Sequence, residues 1–420
     1  MLSSVQLRLW GPGAAGLPSW PAIIAVVIVV YISICSFLRF RQLSKIRSRH
    51  KFPDRAACSR MTGTDAQAII ESAYTYEFPL FFGLSLTYAL FKTFAIEDIA
   101  KLLNSSSDLG KVRNTSKRFE DTGILFACFM LFPPTSPQLQ EAVARMNFLH
   151  SPYIKSGKIQ NQDLLYVLYT SMVEPVRFIR LYEWRHLTEM EIAAQGTLWK
   201  HIGDMMGIDY MEQLGRNTWM DGIEFMEDVE QWARGYEKNR LQPSPSSQRL
   251  AQVQLDMVLS IFPTVMQPLM CQMGLAIMGE RMRHAFSLPE PGLGVSALTF
   301  TLMWLRWVLI RFLLPPRLFA LRYVSKPDTK TGLMHSTHYI KEPWYNEPTF
   351  WARWGPMSWI TRAVGGMLPG DGGAEMKPDG FVFEDIGPPN RMGKGVNEGK
   401  QMAAAVREAA AVNGGCPFTM

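Results

Sequence analysis

The chain has 420 residues, of which 47% are hydrophobic and only 19% charged; this excludes wholesale disorder and points to a large apolar interior or to membrane contact. The net charge of +6, from 43 basic and 37 acidic side chains, is small and local, which argues against a nucleic-acid-binding surface. Five cysteines (Cys35, Cys58, Cys128, Cys271 and Cys416) lie far apart with no C-x-x-C pair, so a disulfide framework and a structural zinc site are not expected and a reducing compartment fits.

Residues 21–38 form an uncharged apolar run. Eighteen residues at ~1.5 Å each reach about 27 Å, enough for a bilayer core. One basic residue, Arg8, precedes the run, whereas Arg39, Arg41, Lys45, Arg47, Arg49, Lys51 and Arg55 follow it. By the positive-inside rule the chain after the run stays in the cytosol. A cleaved signal peptide needs its charges first and a small-residue site after, and Phe37-Leu38-Arg39 supplies none. The expectation is a single uncleaved anchor at 20–38, a lumenal segment at 1–19 and a basic juxtamembrane segment at 39–60.

From 61 to 325 the apolar spacing is helical and no strand-type alternation appears, so the expected fold class is all-α. Residues 65–103 read as helices broken at Pro79, with Lys92 snorkelling from an apolar middle. A helix at 115–131 stops before Pro133-Pro134. Ser136 then caps a helix with Pro137 in its first turn, running to about His150. Residues 163–184 form a helix kinked at Pro175, and Thr188 and Glu191 make a capping box for a helix through Met205. Residues 219–240 are amphipathic, 243–247 a linker, and 249–286 one long helix or a kinked pair. Residues 295–314 are apolar but carry Arg306 and Arg311, which suits a helix lying on the membrane better than a second span. Beyond Ser325 an extended C-terminal region, 326–420, ends in some fifty residues expected to be a mobile tail with one short helix at 401–412.

No G-x-S-x-G elbow, Walker lysine loop, G-x-G-x-x-G or H-E-x-x-H is present. His335 and His338 fall in a proline-broken loop; His186 and His201 sit among charged neighbours and read as solvated, and His284 reads as a polar-face residue. His150 differs, because Leu139, Val143 and Met146 place it on the apolar stripe of its helix. It is either a hydrogen-bonded core residue or an imidazole aimed at an iron. Arg118 and Thr122, four apart on the preceding helix, share a face. They are either a salt-bridged helix start, with Glu120, Asp121 or Asp163 as partner, or a polar pair over a cofactor. Twenty-five Met and 24 Phe are core filler or the lining of a pocket for a large apolar ligand. A non-haem metal held by His150 with Asp121 and Asp163 is a further reading. Arg177 and Arg185 are expected to pair with Glu174, Glu183 or Glu189.

Taken together, Lys117-Arg118-Phe119-Glu120-Asp121-Thr122, the run from Arg145 to Tyr153, Ser156-Gly157-Lys158-Ile159 and Asp163-Leu164-Leu165-Tyr166 resemble a family of fungal ER-bound oxygenases of the mycophenolic acid type. Pro175-Val176-Arg177-Phe178-Ile179, Glu183-Trp184-Arg185, Trp199-Lys200, Gly203-Asp204 and Pro315-Pro316-Arg317 extend the match. More distantly, Arg-x-x-x-Thr followed about thirty residues later by His resembles the latex clearing proteins, which are rubber oxygenases. That resemblance implies a globin-like helical domain with haem b, His150 as the iron ligand, and Arg118 and Thr122 lining the pocket as catalytic residues. It implies dioxygen-dependent cleavage of a C=C bond in an isoprenoid chain to an aldehyde or ketone, by an enzyme of the endoplasmic reticulum membrane. The partners implied are an apolar isoprenoid-containing molecule, dioxygen and the lipid bilayer, with no nucleic acid. Two departures stand out: Asp121 occupies the place of a rubber oxygenase lysine, and only Glu97 offers itself for the glutamate base of that family. Other chemistries consistent with the residues are a haem hydroxylation or peroxidative oxidation, and non-catalytic carriage of an apolar metabolite.

Overall fold

The computed structural model describes residues 20–106, 112–411 and 415–418. The expected lumenal segment 1–19 lies outside them, as do residues 107–111, between the helices expected at 65–103 and 115–131. The described residues are helical throughout, with isolated bridges but no β-strand. The all-α expectation holds.

Helix α1 (Trp20–Arg39) carries Ile24, Val26, Val27 and Val29 more than half exposed, because no other element covers them. It leads into the basic helix α2 (Arg41–Arg49). Asp54 caps α3 (Arg55–Cys58) by accepting from the Ala57 N–H at 2.8 Å. Thr62 and Asp65 form a capping box on α4 (Gly63–Ser72), which widens into a π-turn at Ala73–Glu77. Pro79 has no N–H to continue that turn and opens α5 (Pro79–Thr93) instead. After α6 (Glu97–Ser106) come α7 (Val112–Leu131) and α8 (Pro137–Lys155). Ser136 caps α8 as its sequence predicts, but the helix continues five residues past His150, through Pro152.

α9 (Asn161–Tyr182) runs through Pro175 without ending, and the Thr188–Glu191 box caps α10 (Glu189–Met206). α10 is the central helix, packed by α3, α4, α8, α9 and α12 (Gly222–Arg240), the last reached through the short α11 (Tyr210–Leu214). The α10–α12 crossing depends on two glycines. A Cβ on Gly196 would lie 1.9 Å from the carbonyl oxygen of Gly222, so any side chain there pushes the helices apart. The long helix expected at 249–286 is three helices: α13 (Pro245–Leu259), α14 (Gln267–Met278) and α15 (Glu280–Ala285). The breaks fall at Pro263 and at Gly279, whose φ is 84°.

α16 (Leu293–Val308), extended by a π-turn at Leu309–Leu313, meets the lower half of α1. Tyr31 donates to the Leu313 carbonyl at 2.8 Å and Arg39 to that of Leu314. α16 turns its arginine inward: Arg306 donates to Glu183 at 2.7 Å and to the Tyr182 carbonyl at 3.2 Å. Trp304 on the same helix stays exposed. The costly charge in an apolar helix is thus neutralised by the globular domain.

The C-terminal region differs from its compositional expectation. It carries α17 (Phe350–Trp354), α18 (Pro356–Ala363) and α19 (Val396–Ala411), and α19 packs along α8 and α10. Arg145 of α8 donates to the carbonyls of Ile386, Lys394, Glu384 and Arg391 at 2.7–2.9 Å. Composition reads glycine and proline there as a mobile tail; a buried guanidinium with its donors in a fork instead gathers those turns onto the domain.

Candidate functional site

α7 carries two polar faces. Residues 117, 120 and 121 recur at three and four and share one face; 118 and 122 share the next. The first face holds the C-terminal region. Lys117, 2% exposed, donates to both carboxylate oxygens of Asp121 at 3.0 and 2.9 Å, to the Tyr345 hydroxyl at 2.7 Å and to the Gly387 carbonyl at 2.8 Å. Tyr345 donates in turn to Asp121 at 2.8 Å, and its backbone takes a left-handed φ of 64°. Glu120 accepts from the Ile340 N–H at 2.9 Å, and burial pushes its carboxyl up to about 8.

The second face meets His150. The imidazole is half-buried, and its Nδ1 is buried with no hydrogen-bond partner. Burial, and then the charge of Arg118, push its pKa down to about 4, so the ring is neutral at physiological pH. The fold therefore brings Arg118 within electrostatic reach of His150, although 32 residues separate them. Arg118 is half-buried, its Nε is also buried without a partner, and it forms no ion pair with Glu120, Asp121 or Asp163 among the described residues. Thr122 spends its hydroxyl proton on the Arg118 carbonyl at 2.9 Å, leaving the oxygen as an acceptor toward this face. Beyond it Leu125, Phe126 and Phe129 are buried, with Phe126 and Trp199 ring centroids 5.7 Å apart.

A neutral imidazole and a guanidinium, each with one buried nitrogen lacking a partner, are side-chain types that fit an iron porphyrin, which offers a metal and negative charge. A non-haem ligand set does not assemble. Asp121 is taken by Lys117 and Tyr345; Asp163 caps α9 and accepts from Tyr236 at 3.0 Å. Among the described residues no three His, Cys, Asp or Glu side chains converge as metal ligands.

Other sequence candidates fall elsewhere. Glu97 is exposed and pairs with Lys101 at 2.8 Å. Arg177 pairs with Glu174 at 2.6 Å as expected, whereas Arg185 pairs with Glu191 at 2.8 Å rather than with Glu183 or Glu189. Lys92 does not snorkel; it is held inside between Glu174 at 3.1 Å and Glu237 at 2.6 Å. His186 and His284 are exposed, but His201 is 4% exposed, and burial pushes it down to about 4. The residues that sequence reasoning missed are Lys117, Arg145 and Tyr345. The Lys-x-x-x-Asp spacing was available as a signal; nothing local marks Tyr345, 228 residues from Lys117.

The family described as ER-bound oxygenase mpaB/B'/Rubber oxygenase, catalytic domain, matches residues 85–311, which include both polar faces of α7 and His150. The chain is 35% identical over 403 residues to a Penicillium brevicompactum protein named ER-bound oxygenase mpaB', covering 95% of each. It is 34% identical over 372 residues, 88% of each chain, to ER-bound oxygenase mpaB of the same organism. Similarity of this extent, over anchor and domain together, means that the chain belongs to the mpaB and rubber oxygenase family and is an oxygenase.

Proposed function

We propose that this oxygenase uses haem b to cleave a C=C bond in an isoprenoid chain with dioxygen. We place it in the endoplasmic reticulum membrane, held by α1 as a single pass, with the helical domain in the cytosol. The observation that carries the reading is the pair of unsatisfied buried nitrogens, His150 Nδ1 and Arg118 Nε, on facing helices beside an apolar core.

His150 would be the iron ligand, since burial keeps its ring neutral and its lone pair available. Haem, when bound, supplies the iron that activates dioxygen. Arg118 sets a fixed positive charge where negative charge develops and needs no reorganisation to do so. The Thr122 oxygen can accept one proton donor but, with its own proton committed, does not donate. The buried Leu125, Phe126 and Phe129 exclude water beside these groups. Asp121 does not replace the rubber oxygenase lysine as an acid–base group, because Lys117 and Tyr345 occupy it.

The test is an absorption spectrum of the full chain, purified in detergent and supplied with haem, beside His150→Ala. A Soret band that is lost or shifted in the variant is expected. Folded wild type with no Soret band overturns the haem assignment. Labelled dioxygen with a prenylated aromatic substrate then reads the reaction: two carbonyl fragments are expected, and an intact, hydroxylated skeleton would replace cleavage with hydroxylation.

A further inference from the structure

We infer that α17 and α18 form a second membrane contact, an aromatic wedge that seats the domain on the phosphate-rich surface of the bilayer independently of α1. Six large apolar side chains in eleven residues are more than half exposed: Phe350, Trp351, Trp354, Met357, Trp359 and Ile360. A soluble surface rarely concentrates apolar area in this way without a partner.

The wedge is a built projection. Its two ends meet, since a Cβ on Gly370 would lie 3.1 Å from Pro348. Arg353 ties it back to Asp371 at 3.0 Å, and Tyr339 donates to the Met367 carbonyl at 3.0 Å. Thr349 caps α17 by accepting from the Ala352 N–H, and Pro356 opens α18 in its first turn. These ties fix the segment at its base while its aromatic side chains stay exposed.

The chemistry selects a bilayer over a protein partner. From 350 to 363 the chain carries Arg353 and Arg362 and no acidic residue. The Arg362 guanidinium lies 4.9 Å from the Trp354 ring centroid and 5.7 Å from that of Trp359. Indole rings with arginine beside them match the headgroup layer, where an amphipathic ring and a cation are both satisfied.

The fold also connects the wedge to the anchor. From Leu314, held by Arg39 of α1, the chain runs through exposed Leu318 and Phe319. It continues to Tyr323, which donates to the Pro79 carbonyl and sets its ring 4.7 Å from that of His338. The neighbouring Tyr339 holds the base of the wedge. Leu80 and Leu84 of α5 are exposed beside this path. The base of the wedge is thus tied, through Tyr339 and His338, to the segment that leaves the α1–α16 contact.

The experiment uses the full chain in phosphatidylcholine vesicles, with Met357→Cys carrying an environment-sensitive fluorophore. Arg234→Cys, on the solvent-exposed face of α12, is the control, and labelled unsubstituted protein gives the cysteine background. Emission at 357 should be blue-shifted and quenched about twofold by lipids spin-labelled near the headgroup, and that at 234 should be neither. Trp351→Ser, Trp354→Ser and Trp359→Ser together should abolish both effects without lowering the melting temperature, because all three rings are exposed. Water-like emission at 357, a blue shift without lipid quenching (cover by protein), or persistence of both effects in the triple variant would each overturn the inference.

Discussion

Lys117 and Asp121, one helical turn apart on α7, form an ion pair 2.9 Å long in which each side chain is 2% exposed. Tyr345 closes it from the C-terminal region. The pair lies on the face of α7 next to that of Arg118 and Thr122, so structural charge and candidate catalytic charge adjoin within six residues. Removing one partner leaves the other buried and uncompensated, at a cost of about 3–5 kcal/mol. Lys117→Met should therefore destabilise the protein strongly, and Lys117→Met with Asp121→Leu should recover much of the loss. Thermal unfolding in nanodiscs measures both; equal losses in the single and double variants would contradict the argument.

Glu120 carries the clearest pH dependence. Its folded pKa is raised from 4.5 to about 8, so its contribution is fully present below 4.5 and is lost as pH rises through about 8. Glu120→Gln keeps an acceptor for the Ile340 N–H and cannot ionise. The variant should match wild type below about pH 4.5 and exceed it increasingly as pH rises toward 8, by up to about 1.4 kcal/mol for each pH unit, with the gap constant above that. Melting curves across that window decide it.

Arg118 should matter to rate more than to cofactor content. Arg118→Leu removes a charge beside His150 but leaves the imidazole in place. Haem content by absorbance should stay near wild type while turnover falls by about 10²–10³, the usual effect of losing one preorganised electrostatic group. Loss of haem in parallel with activity would assign Arg118 to cofactor retention instead.

The two apolar helices make different topological predictions. α1 has no inward-facing partner for most of its length, whereas α16 is tied to the domain through Arg306 and Glu183. A glycosylation sequon placed among residues 2–10 should be modified in microsomes, and one placed beyond α16, in the exposed turn at 329–331, should not. Modification at both sites would make α16 a second span, which its 21 residues permit by length.

Much of this was written locally. The capping box at Thr188 and Glu191, the Ser136 cap and the proline stops after Leu131 are short-range backbone chemistry, and the helices begin and end where those residues place them. The all-α class and an N-terminal helix long and apolar enough to cross a membrane needed only composition and periodicity. Tertiary structure alone decided which polar groups are satisfied. Lys92 reads as a snorkelling residue in an apolar run and His201 as solvated among charged neighbours, yet packing on several sides buries them. Asp121 and Asp163 look like ligands, yet partners more than seventy residues away take their oxygens. Arg145 orders a glycine-rich region that composition reads as mobile, because its four carbonyl partners exist only once the chain has folded back. Local propensity depends on neighbours in sequence; burial and hydrogen-bond satisfaction depend on neighbours in space, which no window of sequence contains.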